Sequence, residues 1–433
     1  MDDYENEVLL QALEIELEAE EEEEEEEETR LITAVGLLLW GAEQSRLLRN
    51  ERRLEHRLYL VRADLLPNPR ADTPWQVLYA GMNRRAYITT MGVDVETFDY
   101  ILASGFGSKW NALPIPRDDT NQQGRARLGR RSLDAAGALG LVLHYLNSTM
   151  RETSLMQIFA LIPSTVSRYI RFAMRILLRT LRHLPEAAIV WPQGDQFFIL
   201  NDAVVEHHPL LTGAFGVMDG VNIPVQTADD DEIENATYNG WLHDHFVSSV
   251  FAFGPDGTIL MCRINAPGSW HDSRVAQPIY QFLRTETPDG FYLVADTAFP
   301  RGTEQIAGRI KTPMKSGQRL PHNEAERQQV LAFDAQLVSF RQAAEWGMRT
   351  LQGSFGRLRI PLNIGSGTDR ADLLEVCARL SNVRARLVGI NQIRSVYMPI
   401  WKKTEQERVW RDFEHMLFGE QRRLDRVARF HHV

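Results

Sequence analysis

Cysteine is scarce in this chain of 433 residues, which holds only Cys262 and Cys377. The two lie far apart, without histidine or cysteine neighbours at metal-binding spacing. This excludes a disulfide scaffold and a zinc finger, and it suits a reducing compartment. The longest apolar run, Leu31 to Trp40, is too short to span a bilayer, and the first residues are acidic rather than typical of a secretory signal. We therefore expect a soluble intracellular protein with no membrane partner.

Basic residues are missing from the first 28 positions, which contain 16 acids. The net charge of the whole chain is −10, so residues 29–433 carry a net charge of +6. A mildly basic body is compatible with binding to a phosphate backbone. The acidic segment has the composition of a solvated tail that is disordered or transiently helical. A solubilising role and a role as a DNA mimic or partner tail both remain open for it.

Changes in composition divide the chain into five predicted parts. They are an acidic tail over 1–30, a helical region over 31–110, a helix-turn-helix-like region over 111–200, an α/β catalytic domain over 201–365 and a helical basic extension over 366–433. We expect residues 107–131 to be a loop or linker, in which a solvated role and contact with a DNA backbone both remain open for Arg117, Arg125, Arg127, Arg130 and Arg131. We also expect residues 368–397 of the extension to pack back on the core.

Three predicted helices with short connections lie between residues 132 and 184. The third begins at Pro163, with Ser164 as the expected N-cap, and the arrangement is typical of a helix-turn-helix. In such folds the start of the last helix enters the major groove of DNA. Arginines recur along this helix at spacings of three and four, which places them on one face. An amphipathic helix with a charged outer face explains the same spacing. The predicted DNA-binding residues are Ser164, Thr165, Ser167, Arg168, Arg171 and Arg175, with Arg179 and Arg182 further along the same face.

From residue 211 the pattern changes to strands. We predict strands over 214–226, 246–253, 258–265 and 291–295, and a short one over 309–313. Asp256-Gly257 predicts a hairpin turn between the second and third strands. Helices are expected over 272–284 and 322–352. This order predicts an α/β fold whose sheet begins antiparallel, and it matches the order of elements in ribonuclease-H-like domains.

Two acids in this region lie within or at the end of apolar strands, where burial of a charge is costly. Asp219 lies inside an apolar strand and Asp296 ends another, so each needs a compensating cation. Divalent metal ions bound by carboxylates provide such compensation. Glu345 lies in a predicted helix, where a solvated glutamate is the ordinary interpretation. Asp272 is equally well explained as an N-cap or as a metal ligand. His243 and His245 would share a face if they lay on one strand, but we favour structural or substrate-contacting roles for them.

An ordered series of motifs over roughly 211–360 resembles the DDE transposases of the PIF/Harbinger superfamily. The series comprises Met218-Asp219-Gly220-Val221-Asn222-Ile223-Pro224, Tyr238-Asn239-Gly240, Gly268-Ser269-Trp270-His271-Asp272-Ser273-Arg274-Val275, Leu293-Val294-Ala295-Asp296-Thr297-Ala298-Phe299-Pro300, and Glu345 followed by Phe355-Gly356-Arg357-Leu358. One departure follows Asn239-Gly240, where the family usually has basic residues and this chain has Trp241-Leu242-His243.

The resemblance implies a ribonuclease-H-like nuclease domain that uses two divalent ions, Mg²⁺ or Mn²⁺. It implies that Asp219, Asp296 and Glu345 are the catalytic triad and metal ligands, with Asp272 as a further ligand. The implied function is DNA cleavage and strand transfer in the nucleus, or also in the cytoplasm. A separate Myb-like DNA-binding partner and an oligomeric state are compatible with it. The alternative is a domesticated DNA-binding or adaptor protein without turnover.

Overall fold

The computed structural model describes residues 2–55, 68–116, 124–299, 306, 308–315 and 317–398, with side chains in the first helix described from residue 25 to residue 52. The chain divides into two compact units, residues 1–64 and 65–433. No helix in the described ranges is both long and apolar enough to cross a membrane. The predicted extension beyond residue 398 and Arg117 of the predicted linker lie outside these ranges.

The first unit contains one long helix, α1, which spans Asp2–Glu55. It includes both the acidic segment and the leucine-rich start of the predicted helical region. The expected boundary near residue 30 therefore does not coincide with a change in secondary structure. Glutamate and leucine both have high helix propensity, which explains why the helix continues through the acidic run.

The second unit begins with eight helices. They are α2 (Pro74–Ala80), α3 (Arg84–Met91), α4 (Val95–Ile101), α5 (Gly107–Ala112), α6 (Ala135–Asn147), α7 (Glu152–Phe159), α8 (Pro163–Leu181) and α9 (Gln196–Val205). Asp94 caps α4 through a 3.0 Å bond from the Thr97 amide, as the sequence predicts. Helix α5 occupies the start of the segment expected to be a linker. Its Trp110 is fully buried, and this apolar anchor explains the departure from the predicted loop.

The start of α8 differs from the prediction in one detail. Ile162, rather than Ser164, occupies the N-cap position and makes no side-chain cap bond. Pro163 is the first helical residue, where its missing N–H costs nothing and its fixed φ suits the helix. Ser164 therefore lies inside the first turn and is exposed.

A six-stranded mixed sheet forms the centre of the remaining chain. Its strands are β1 (Ala214–Pro224), β2 (Tyr238–Asn239), β3 (Asp244–Phe253), β4 (Ile259–Pro267), β5 (Tyr292–Ala295) and β6 (Ile310–Lys311). The strand order is β2-β3-β1-β5-β6, and β4 pairs with β3. Strand β1 is antiparallel to β3 and parallel to β5. The predicted α/β class, the antiparallel start and the β3–β4 hairpin are confirmed.

Helices cover both faces of this sheet. The helices that follow β1 in the chain are α10 (Asp231–Thr237), α11 (Asp272–Val275), α12 (Gln277–Thr285), α13 (Glu324–Ser354), α14 (Gly367–Val383) and α15 (Gln392–Tyr397). One face packs α11 and α12 in an apolar core that includes Met218, Ala295 and Ile279. The sequence does not predict α9, α10 or β2.

Helix α14 joins the sheet to the N-terminal helices. The Asn382 side chain accepts a 2.7 Å bond from the Ile259 amide in β4, and it donates to the carbonyls of Ile259 and Ala188. Arg384 is buried and donates to the Gly92 carbonyl at 2.6 Å. The expectation that this segment packs back on the core is confirmed for the residues up to 398.

Candidate active site

Helix α13 lies directly on the face of the sheet that carries Asp219. A Cβ atom at Gly347 of α13 would fall 2.8 Å from the Phe253 ring, so the helix contacts that ring closely. Phe253 is the strand partner of Val217. Paired residues on neighbouring strands share a face, and side chains alternate along each strand. Val217 and Asp219 therefore point towards α13.

Asp296 directly follows β5, the strand that lies parallel to β1. Val217 pairs with Val294 and Met218 with Ala295, so Asp296 follows β5 at the level of Asp219. Adjacent strands lie about 4.8 Å apart, and continued alternation directs Asp296 to the same face as Asp219. Both carboxylates accept a bond from the next backbone amide, Asp219 from Gly220 at 2.8 Å and Asp296 from Thr297. The register therefore brings together two acids that are 77 positions apart in the chain.

Asp272 approaches from the opposite face of the sheet. A Cβ atom at Gly220 would lie 2.7 Å from the Asp272 carboxyl carbon, so the missing side chain of Gly220 makes room for this carboxylate. The N-cap interpretation of Asp272 is wrong, because His271 is the cap and accepts from the Ser273 amide at 3.3 Å. Asp272 is the first helical residue, and its carboxylate faces Gly220.

Glu345 is on α13, next to the buried Ala343 and Ala344, and its side chain is 43% exposed. Its Oε1 atom lies 3.1 Å from Nη2 of Arg341, one helical turn earlier. The structure therefore places Glu345 on the helix that covers the Asp219 face, with an arginine as its immediate partner. Arg341 was not among the site residues predicted from the sequence, although an arginine four residues before an acid on a helix is a recognisable ion-pair spacing.

Burial raises the pKa of the Asp219 carboxyl from 3.8 to about 6. The Gly220 amide and the Arg341 guanidinium oppose this rise, while the charges of Asp296 and Asp272 add to it. Burial also raises the pKa of Asp272; His271 opposes the rise and Asp296 adds to it. The electrostatics are those of partly buried acids that lack sufficient positive charge nearby.

Oxygen donors of this kind suit a hard divalent cation. Mg²⁺ is commonly held by one or two carboxylates, with water and substrate phosphate oxygens as the remaining ligands. The Asp219–Asp296 pair supplies two such carboxylates on one face. Within the described ranges, no group of three or more His, Cys, Asp or Glu side chains is arranged to hold a metal ion. Asp272 faces Gly220 on the other side of the sheet, and Glu345 is paired with Arg341.

The two histidines after β2 do not form a pair on one strand face. His243 has a φ of 53° and lies in the turn before β3. His245 is buried on β3, with Nδ1 3.0 Å from the Thr237 hydroxyl and Nε2 3.7 Å from Glu234. The turn itself exposes Trp241, whose side chain is 94% accessible.

The predicted DNA-binding residues lie along one exposed edge of α8. Ser164 and Arg171 are exposed, and Thr165 and Arg168 are half-buried. Ser167 donates to the Glu152 carboxylate. Arg175 lies 3.5 Å from Asp369 of α14. The more distant Arg182 makes two bonds to Glu375 of α14 at 2.6 and 2.9 Å. The far end of this face is therefore engaged with α14, and its beginning is the more open part.

Carboxylates grouped beside neighbouring strands of an α/β domain, as beside β1 and β5, are typical of sites for metal-assisted chemistry on phosphates. Residues 218–382 match the family model described as DDE superfamily endonuclease. The matched range contains all four acids and ends at Asn382, beyond the predicted domain end at residue 365. It covers fewer than half of the 433 residues, so the similarity concerns this domain. The match supports a DDE transposase-type nuclease. No curated protein and no solved structure matched the chain.

Proposed function

We propose that the chain is a divalent-metal-dependent DNA nuclease of the transposase type that cleaves phosphodiester bonds. The observation that carries the proposal is the parallel register of β1 and β5, which brings Asp219 and Asp296 together on the face covered by α13. This pair lies within the range that resembles DDE superfamily endonucleases. Two neighbouring carboxylates that are partly buried are costly without a cation, which favours a binding role over a structural one.

In this proposal Asp219 and Asp296 hold a divalent cation, Mg²⁺ or Mn²⁺. When bound, such ions supply stabilisation of the charge that develops on phosphate oxygens and help to activate water. Asp219 must lose its proton to serve as a ligand, and Gly220 helps to keep its carboxylate oriented through the 2.8 Å bond. Glu345 on α13 is the expected ligand of a second ion, and Asp272 is a further candidate from the opposite face.

The beginning of α8 is the proposed DNA contact. In a helix-turn-helix arrangement Ser164, Thr165, Arg168 and Arg171 would meet the major groove, as expected for the N-terminal part of the last helix. Ser167 and Arg175 have partners within the protein, so we expect smaller effects from changing them. An Arg168→Ala, Arg171→Ala double variant should weaken DNA binding and flatten its salt dependence by up to about 0.9 in log–log slope per lost phosphate contact. An unchanged slope would count against this surface.

The assignment of the domain to a fold type and to a family branch rests on the motif series and on the topology of the sheet. Strands β1, β3 and β4 are antiparallel neighbours, β5 and β6 run parallel to β1, and acids lie on β1 and directly after β5; this arrangement supports a ribonuclease-H-like fold. The motif series supports its placement in the PIF/Harbinger branch. A DNA substrate implies a nuclear location, which imaging of a tagged chain would test. We also propose a separate Myb-like DNA-binding partner and an oligomeric state, and co-purification with measurement of assembly size would test both.

A Glu345→Gln variant tests the assignment of the helix acid. It should abolish Mg²⁺-dependent nicking of duplex DNA taken from the sequences that flank the coding region, while leaving the unfolding midpoint close to wild type. Glu326→Gln is the matched control, because it makes the same change at an exposed position on the same helix. Unimpaired nicking by the Glu345 variant would defeat the assignment. DNA binding by the wild-type chain without any cleavage would favour an adaptor without turnover.

A further inference from the structure

Arg341 is paired with Glu345 on the helix that covers the Asp219 face of the sheet. Its Nη2 atom lies 3.1 Å from Glu345, and its side chain is only 26% exposed. The same guanidinium opposes the rise that burial causes in the pKa of Asp219. A positive charge is therefore already present beside the position at which a divalent cation would bind.

The ion pair between Arg341 and Glu345 is of a kind that breaks easily when the glutamate is offered another cation. Arginine and glutamate one turn apart on a partly exposed helix face contribute little to stability, and the order with the acid C-terminal is the weaker one. The partly exposed Glu345 side chain has room to turn away from Arg341. A divalent cation between carboxylates offers that acid a stronger interaction than a single guanidinium does.

We propose that Arg341 is a positioning residue that takes the place of the cation in the metal-free site. It holds Glu345 and shields Asp219 until a divalent ion binds, and Glu345 then leaves Arg341 to become a ligand. This inference rests on the proposed function, because it requires Asp219 and Glu345 to be metal ligands.

Substitution of Arg341 separates this role from that of an ordinary helix ion pair. If Arg341 competes with the cation, Arg341→Gln removes the competing charge and should tighten Mn²⁺ binding by about three- to tenfold, as expected for loss of one unit charge within several ångströms in a partly solvated site. Arg341→Lys keeps the charge and should bind Mn²⁺ within about twofold of wild type. A purely structural pair would leave the Mn²⁺ affinity unchanged in both variants and alter only the unfolding midpoint.

The measurement is calorimetric titration of the full chain with Mn²⁺, without DNA. Arg349→Gln is the matched control, because Arg349 is an exposed arginine on the same helix one turn beyond Glu345. Tighter binding by Arg341→Gln, with Arg341→Lys near wild type and a clearly smaller change in Arg349→Gln, supports the inference. Equal affinities of wild type and Arg341→Gln overturn it.

An Asp219→Asn variant in the same titration distinguishes the failure of this inference from the failure of the proposed function. Loss of Mn²⁺ binding in Asp219→Asn together with wild-type affinity in Arg341→Gln leaves the metal site standing and removes the role of Arg341. Wild-type affinity in Asp219→Asn, or no Mn²⁺ binding by the wild-type chain, overturns the proposed metal site and this inference with it.

Discussion

An Asp219→Asn substitution should stabilise the metal-free protein at neutral pH. Burial raises the pKa of this carboxyl from 3.8 to about 6, so the folded protein binds the proton more tightly than the unfolded chain does. The contribution of Asp219 to stability is therefore most favourable below pH 3.8 and is lost as the pH rises through 6. At about 1.4 kcal/mol for each pH unit, the ionised carboxylate costs the fold about 3 kcal/mol above pH 6.

Asparagine has nearly the same shape and keeps an oxygen that accepts the bond from the Gly220 amide. It cannot ionise, so it should recover about 1–3 kcal/mol at pH 7.5 and almost nothing at pH 4. For a folded unit of this size the gain corresponds to a rise of a few degrees in the thermal midpoint. Equilibrium unfolding in urea with a chelator, at both pH values, measures the difference directly.

Asp229→Asn makes the same substitution at an exposed position and should change stability little at either pH. A variant of Asp219 that is less stable than wild type at pH 7.5 would refute the reasoning. A stability difference that does not change between pH 4 and pH 7.5 would refute it as well. Addition of Mg²⁺ should reverse the order at pH 7.5, because the cation binds and stabilises only the wild-type site.

Three further predictions concern the pH dependence of metal affinity and the close packing at Gly220 and Gly347. Divalent-metal affinity should fall about tenfold between pH 7 and pH 5, because Asp219 with a pKa of about 6 must be deprotonated to bind; titration calorimetry that shows no loss would contradict this. Gly220→Ala places a Cβ 2.7 Å from a carboxyl group and should cost about 1–3 kcal/mol, whereas Gly240→Ala, which has open space around it, should be nearly neutral in urea unfolding. Gly347→Ala places a Cβ 2.8 Å from a buried aromatic ring and should also destabilise, while Gly353→Ala on the same helix has room and should not; equal unfolding midpoints would refute the close packing of α13.

The central strands were predictable because their residues are apolar over the whole length of a buried strand. The β3–β4 hairpin was predictable because Asp256-Gly257 is a strong turn signal. Asp219 and Asp296 stood out because acids are unusual within or at the end of such runs. The level at which they lie on neighbouring strands depends on parallel register, which no local pattern specifies.

The remaining features depend on contacts between distant parts of the chain. Asp272 was a possible cap until the fold showed His271 in that position and Gly220 against its carboxylate. The arginine face of α8 was evident from spacing, but the partner of Arg182 is Glu375, 193 positions away. No local sequence pattern predicts which side chain of α14 contacts α8.

The most direct test of the central claim is Mg²⁺-dependent nicking by the wild-type chain and by Asp296→Asn. The substrate is duplex DNA from the sequences flanking the coding region, compared with a duplex of unrelated sequence. We expect the wild type to nick the flanking DNA with Mg²⁺ and not with a chelator, and we expect no nicking by the folded Asp296→Asn variant. Nicking by that variant at the wild-type rate would contradict the account, and so would complete absence of nicking by the wild-type chain.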